Sequence, residues 1–520
     1  MNKKILYLIP FIAILITACH ANKTHSSVPV NSGGLTDSSF ISSIDSSSLE
    51  SISSDSSFIA SSDNSISSSD EEIEDEIINI ELFALNDTHG NVVDSTSGLG
   101  ISKTATLLKT YPKNVDNALY ISQGDMWQGQ AESGLTFGKI VNDWMSQMHF
   151  ASMTVGNHEF DWNTSYVKAN AESANFPYLG INVYSRATNQ RVDYLKPSVV
   201  VEKNGAKIGI IGAIGDCYSS ISYSMVKDIY FKVENELTSL VKNEAIRLRN
   251  EENCDFIIYS VHDGMDDDDN NPYNTALSSY VDLVLEGHTH LDYHYLDSRG
   301  IYHVQSAGYN STINYVDIDI NITQKTSSIK SIKSIKTNDY TSLLKDEETE
   351  TLFTKYDSVI GHVHDVIGYN ASKRYSSSLH QKTADLYLDL GLEKWNEYQI
   401  FLGGGFVKTR SPYNLERGNV TYAHLYSLFP FNNNVILCSI SGYNLKSRFI
   451  NTPKDYYVSY SSYGSLHKDE IDDYATYYIV TDTYSSDYSK NGLTIVERYL
   501  ETGYYTRDAF KDYIAAGNYA

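Results

Sequence analysis

Residues 78–90 read Ile78-Asn79-Ile80-Glu81-Leu82-Phe83-Ala84-Leu85-Asn86-Asp87-Thr88-His89-Gly90. A largely apolar run of strand length stops at a polar turn that carries an aspartate and a histidine separated by one residue. The same pattern returns four times. Ala118–Ser122 ends at Gly124-Asp125, and Ser152–Val155 leads into Gly156-Asn157-His158-Glu159-Phe160-Asp161. Asp255–Val261 ends at His262-Asp263-Gly264, and Val281–Leu285 at Gly287-His288-Thr289-His290. Between these runs, Gly100–Tyr111, Phe137–Met148 and Lys232–Asn250 carry helical patterning. Apolar strands alternating with helices predict an α/β sandwich with its chemistry at the carboxyl ends of the strands.

Every one of those ends offers metal-ligand types: Asp87 and His89, Asp125, Asn157, His262, then His288 and His290. One such motif says little, because a lone histidine is more often a surface or hydrogen-bonded core residue than a ligand. The ordered recurrence after short apolar strands is what points to a shared centre. Glycines beside Asp125, Asn157, His262 and His288 permit the tight turns that bring such loops together.

In this order the five blocks resemble the calcineurin-like metallophosphoesterases, in the bacterial 5′-nucleotidase branch. The resemblance covers about two hundred residues here and implies a four-layer αββα domain carrying two divalent ions. By the same resemblance Asp87, His89, Asp125 and His290 would hold one ion. Asp125, Asn157, His262 and His288 would hold the other, with Asp125 bridging. Two ions ~3.5–4 Å apart need a shared carboxylate to offset their repulsion. Mixed imidazole and oxygen donors suit Zn, Mn, Fe or Co better than Ca or Mg. His158 and Asp161 resemble the family's catalytic dyad, the imidazole stabilising charge on the phosphoryl or leaving oxygen and Asp161 orienting it. The bland reading of His158 is that it braces its turn.

Asn338–Gly361 includes a charged helical stretch, and beyond it the chain resembles the family's smaller, nucleoside-binding α/β domain. Leu402-Gly403-Gly404-Gly405-Phe406-Val407 stands where the family has Asn-Gly-Gly-Gly-Ile-Arg. Val407 replaces a substrate-gripping arginine, so Lys408 or Arg410 is expected to take over. Phe429-Pro430-Phe431-Asn432 keeps the family's Pro-Phe turn. Phe431 is the candidate for one base-stacking face, with apolar packing as its alternative, and Tyr484 or Tyr488 for the other. Gly404 and Gly405 complete the expected substrate-contacting set. The family's Gly-Gly-Asp-Gly element is reduced to Ser489-Lys490-Asn491-Gly492, and Ala384-Asp385-Leu386 stands roughly where Gly-Asn-Leu is lost.

The N-terminus reads as an address. Lys3 and Lys4 precede an apolar run from Ile5 to Ile16 that is too short to span a bilayer. Ile16-Thr17-Ala18-Cys19 resembles a lipobox, which implies a signal of residues 1–18 and a lipid on Cys19. The expected location is the extracytoplasmic face of the cell membrane. Asn22 to about Asp75 is rich in Ser, Asp and Glu and is expected to be a disordered tether. The expected division is therefore a signal over 1–18, a tether over 19–77, a phosphoesterase domain over 78–337, a connecting helix over 338–362 and a C-terminal domain over 363–520. Asp266–Asp269 reads as a solvated acidic loop, with an accessory Ca²⁺ site as its alternative.

Composition sets outer bounds on these readings. With 65 acidic against 40 basic residues the formal charge is −25, which argues against a nucleic-acid partner. It leaves a small phosphate ester open, because metals reverse the sign of a pocket. Four cysteines in 520 residues exclude a disulfide scaffold, and a monomer is expected. The leading expectation is a surface nucleotide phosphomonoesterase. Its alternatives are a 2′,3′-cyclic phosphodiesterase, UDP-sugar hydrolase or other phosphoesterase, and a lipoprotein that binds a ligand without turnover.

Overall fold

The computed structural model describes residues 74–265, 272–407, 409–410, 413–451, 456–487, 492–498 and 503–519. Cys19, the signal and most of the tether, Asp266–Asp269, Lys408, Tyr488 and Ser489–Asn491 lie outside the described residues. Everything described below belongs to the unit Glu72–Ala520.

Alternation along the first strand explains the layers. In Ile77–Leu85 the side chains of Ile80, Leu82 and Ala84 enter one core, whereas Phe83 and Leu85 enter another, as a period of two requires. Two six-stranded sheets result. The first runs, in spatial order, Thr326–Lys336, Thr312–Asn321, Ile77–Leu85, Ala118–Ser122, Ser152–Thr154 and Tyr178–Leu179. The second runs Tyr293–Leu296, Tyr302–Gln305, Leu283–Leu285, Phe256–His262, Ala206–Ile214 and Ser198–Lys203. Leu82, Ile121, Ile210, Ile258 and Leu285 pack between the sheets. Across that seam Thr154 Oγ1 and Ser260 Oγ lie 2.6 Å apart.

Helices cover both outer faces. Ile101–Thr110 and Lys139–Gln147 bury Leu108, Val141 and Trp144 against the first sheet. Glu234–Asn250 buries Leu237, Val241 and Leu248 against the second. The order helix, sheet, sheet, helix is the expected four-layer sandwich, and the strands and helices expected at the motifs start and stop within about two residues of their sequence limits. The edge strands Ser198–Lys203 and Thr326–Lys336, and Thr312–Asn321 beside the latter, were not singled out by sequence pattern.

The stretch expected to be a connecting helix contains the helix Glu347–Ile360, preceded by a 3-10 turn at Thr337–Tyr340. Asp346 caps the helix by accepting from Thr349 N at 2.9 Å, and Glu347, Glu348 and Glu350 meet the positive end of its dipole. It is no loose linker. Leu352 and Ile360 join the outer core of the first sheet, and Lys355 and Tyr356 both bind Asp143.

The smaller C-terminal part is a five-stranded sheet in the order Tyr457–Tyr460, Ile400–Gly405, Thr476–Asp482, Val435–Ser441 and Leu493–Arg498. The helix Ser376–Lys394 packs on it through Tyr387 and Leu388, while Leu379 enters a separate core with Leu425 and Phe510. Cys217, Cys254 and Cys438 are buried and free. Among the described residues no helix is long and apolar enough to cross a membrane.

Candidate metal centre and adjoining pocket

The parallel strands of both sheets aim their carboxyl ends at one spot, and the turns there are held in a conformation that side chains seldom adopt. Asp87, His89, Asp125, His288 and His290 all have positive φ, between 48° and 77°. Strain of this kind survives only where surroundings enforce it and concentrates at functional sites. The enforcement is visible: Asp87 N donates to Gly124 O at 2.9 Å, and His89 N to Asp125 O at 3.0 Å. A Cβ on Gly124 would collide with the Gly156 backbone, and one on Gly156 with Asp125. Glycine is needed at both positions.

Backbone donors occupy one oxygen of each buried aspartate and leave the other facing imidazoles. Asp87 Oδ2 accepts from His288 N at 2.8 Å and from Asn86 Nδ2 at 2.7 Å. Asp87 Oδ1 has no hydrogen-bond partner and lies 3.3 Å from His290 Nε2 and 3.8 Å from His89 Nε2. Asp125 Oδ1 accepts from His158 N at 2.8 Å, while Oδ2 lies 3.2 Å from His262 Nε2. The two imidazole nitrogens His89 Nε2 and His290 Nε2 are 2.8 Å apart. Asn157 Oδ1 is 3.1 Å from His262 Nε2 and 2.9 Å from His288 Nδ1. His262 donates Nδ1–H to Gln123 O at 2.7 Å, which fixes the ring with Nε2 toward Asp125.

These residues fit divalent metal. Asp87, His89 and His290 form one cluster able to hold an ion, and Asp125, His262 and His288 another. The orphaned Asp87 Oδ1 and the converging nitrogens are the donor set such ions take. The electrostatics agree. Burial works to raise Asp87 and Asp125, but the imidazoles prevail: His290 lowers Asp87, and His262 with His158 hold Asp125 well below the usual carboxylate range. Burial disfavours charge on His262, yet Asp125 lifts it to about 10. Burial and His262 together push His288 down to about 4. The centre attracts positive charge that its own imidazoles cannot all supply.

His158 stands beside this centre with Nδ1 2.7 Å from Asp161 Oδ2. Burial opposes its protonation, but Asp161 and Asp125 raise its pKa above the ordinary value. Glu159 ties the loops together by accepting from Asp125 N, Met126 N and Gly156 N at 2.7–2.8 Å. Burial, then the Asp125 charge, pushes it to about 7.

From the C-terminal part Arg410 reaches into the same place. Its Nη1 donates to Gln128 Oε1 at 3.1 Å and lies 3.3 Å from His158 Nε2, and its Nη2 lies 2.7 Å from His89 Nδ1. Beyond it opens a cavity of about 540 Å³ lined by His158, Arg410, Phe406, Phe431, Tyr484 and Arg498, among others. The Phe431 ring is 5.9 Å from that of His158, and the Phe406 ring 5.7 Å from that of Tyr484. Arg507, itself buried, fixes the Phe431 turn by donating to Phe431 O at 2.9 Å and to Asn432 Oδ1 at 2.5 Å.

Residues 81–292 match the calcineurin-like phosphoesterase family. The chain is 30% identical over 231 residues to Protein UshA of Yersinia enterocolitica, covering 42% of this chain and 41% of that protein. It is 28% identical over 230 residues to the 5′-nucleotidase of Vibrio cholerae, with 41% of each chain covered. It thus spans about two fifths of the length of these curated relatives. The fold extends further than the sequence likeness. The 5′-nucleotidase precursor from Thermus thermophilus superposes with a TM-score of 0.64 at 17% identity, covering 84% of this chain and 96% of that one.

The segment that matches this family brings all seven expected ligand-type residues and the His158–Asp161 pair together. The C-terminal residues divide. Phe431, Tyr484 and Arg410 line the cavity. Val407 is buried in the sheet core, which leaves Arg410 as the cation among the described residues of that loop. Gly404 and Gly405, expected at the substrate, are fully buried in their strand and are not among the lining residues. Their φ values of 140° and 151° serve packing instead: a Cβ on Gly404 would strike Tyr457 O, and one on Gly405 would strike Ser485 and Thr481. Phe406 was missed, although its place directly after the glycines marks it as the first side chain to leave the sheet. Gln128 and Tyr309, whose ring is 5.1 Å from His89, follow no motif that sequence reading uses. Glu159 stands inside the Gly156–Asp161 motif, and its bonds to three backbone donors arise only in the fold.

Proposed function

We propose that this chain is a metal-dependent phosphomonoesterase acting on nucleotides, anchored by a lipid on Cys19 at the extracytoplasmic face of a cell membrane. The observation that carries the chemistry is the convergence of seven ligand-type side chains on a buried spot beside His158, Asp161 and Arg410. The relatives named 5′-nucleotidase support the substrate class.

Asp87, His89, Asp125 and His290 would hold one divalent ion, and Asp125, Asn157, His262 and His288 a second, with Zn, Mn, Fe or Co suited to these donors. Two ions held this way would supply Lewis-acid stabilisation of the phosphoryl oxygens and an activated water for in-line attack. The chain's own residues do the rest. Arg410 binds the phosphoryl oxygens through its planar fork of donors. His158, whose basicity Asp161 raises, stabilises charge on the phosphoryl or leaving oxygen through Nε2. Phe406 and Phe431 offer π faces to a base, and Tyr484 extends the Phe406 wall.

Phosphate release by the chain from Ile77 onward, assayed on AMP, ATP, UDP-glucose, cyclic nucleotides and a chromogenic ester with added Mn²⁺ or Zn²⁺ and a chelated control, tests the reading. No turnover of any substrate with metal loaded would sink it. Anchoring is tested separately, since Cys19→Ala should release the full-length protein from membranes. Continued association would remove the lipid from the account.

A further inference from the structure

The cavity beside the metal centre has a second cationic wall. Its lining carries two arginines, Arg410 and Arg498, and one carboxylate, Asp161. That carboxylate is engaged by His158 at 2.7 Å. Arg410 is tied to the metal-centre side through Gln128, His158 and His89. Arg498 belongs to the C-terminal sheet. It ends the strand Leu493–Arg498, sits opposite Ile436 in the neighbouring strand, and lies within electrostatic reach of Cys438 on that strand. Just before that strand, Asn434 N donates to Thr483 Oγ1 at 3.1 Å, and both residues line the same cavity.

Arg498 is solvent-exposed, and among the described residues it has no hydrogen-bond, ion-pair or ring partner. The nearby Arg507 shows the opposite condition, with its donors spent on Tyr422, Phe431 and Asn432. An unspent guanidinium on the wall of a pocket otherwise almost free of carboxylate, in a chain of charge −25, is suited to a carboxylate or phosphate, whose geometry its planar fork matches. The aromatic rings of Phe406 and Phe431 line the same cavity, whose volume is in the usual range of ~300–1,000 Å³ for small-ligand sites.

We propose that Arg498 forms a second anion-recognition subsite, so that the preferred substrates are nucleotides carrying an anionic group in addition to the scissile phosphate. The inference rests on the reading of the pocket as a nucleotide site. The second anion is a carboxylate on the base or a further phosphate on the ribose, and paired substrates separate the two.

The test measures kcat/KM for orotidine 5′-monophosphate against uridine 5′-monophosphate, and for adenosine 3′,5′-bisphosphate against AMP. Each protein is normalised to its own rate on p-nitrophenyl phosphate, and equilibrium binding of the same four nucleotides is measured by calorimetry. The wild type should favour the more anionic member of at least one pair by about tenfold, the scale of one charge-assisted contact in a solvent-exposed setting. That preference should vanish in Arg498→Gln and shrink as salt is raised. Preference confined to orotidylate assigns the carboxylate, and preference confined to the bisphosphate assigns the phosphate. Equal values within both pairs, or a preference that survives Arg498→Gln, would overturn the proposal. Failure to hydrolyse any nucleotide while p-nitrophenyl phosphate turns over would instead overturn the nucleotide reading. The binding ratios then decide on Arg498 independently of turnover.

Discussion

Arg410 Nη2 lies 2.7 Å from His89 Nδ1, although 321 residues separate them in the chain. One end of this contact is a ligand-type residue of the segment that matches the phosphoesterase family, and the other is the first described cation after a strand of the C-terminal sheet. The candidate site is therefore shared between the two parts of the molecule. Arg410→Ala should lower kcat/KM for phosphate esters by about 10–100-fold, the range of a lost charge-assisted pair. Arg410→Lys should recover part of it, because a point charge replaces a fork. Metal content should not fall in either variant, and wild-type kinetics in Arg410→Ala would remove Arg410 from the site.

Asp125 uses one oxygen on a backbone donor and aims the other at His262. Asp125→Asn keeps the shape and removes the charge. Bound metal, read by elemental analysis, and phosphate release should fall together, activity by at least ~10². Full metal content in an inactive variant would separate Asp125 from metal binding.

His158→Asn should keep the metals and lose on the order of 10²–10⁴ in kcat. Asp161→Asn should fall between this variant and the wild type, since the imidazole stays but loses its partner at 2.7 Å. An unchanged rate in His158→Asn would leave the residue a brace for its turn.

Phe406 and Phe431 line the pocket beside His158. If they take a base between them, each alanine variant should weaken nucleotide binding by about 1–3 kcal/mol, read as a higher KM for AMP. The KM for p-nitrophenyl phosphate should change less. An equal change for both substrates would mean that the rings shape the site without stacking a base.

His364, at the start of the C-terminal part, bonds through Nε2 to Glu132 Oε1 of the phosphoesterase segment at 2.5 Å. Glu132 raises the pKa of His364 above its ordinary value and outweighs the effect of burial. A folded-state pKa above the unfolded one gives stability that is fully present below ~6.5 and is lost as pH rises through the folded value. The thermal midpoint of the wild type should therefore decline more than that of His364→Gln between pH 6 and 8.5. Parallel curves would show that the contact adds nothing to stability.

Sequence alone determined the sandwich and the ligand-type residues that the fold brings together, because both are written locally. The layers follow from alternation within strands such as Ile77–Leu85, and the ligand-type residues sit at the ends of five apolar runs, where short motifs carry them. The substrate side was less legible. Which of Val407, Lys408 and Arg410 replaces the missing arginine cannot be read from neighbours in the chain. Packing decides: Val407 turns into the sheet core, and Arg410 crosses to His89 and Gln128. The glycines read as substrate contacts proved to be a demand of strand packing against Tyr457 and Ser485. The fold also decided which oxygen of Asp87 and Asp125 is left for metal, because the competing donors are backbone N–H groups of His288 and His158, on other loops. Contacts of that kind join residues far apart in the chain, and no local pattern encodes them.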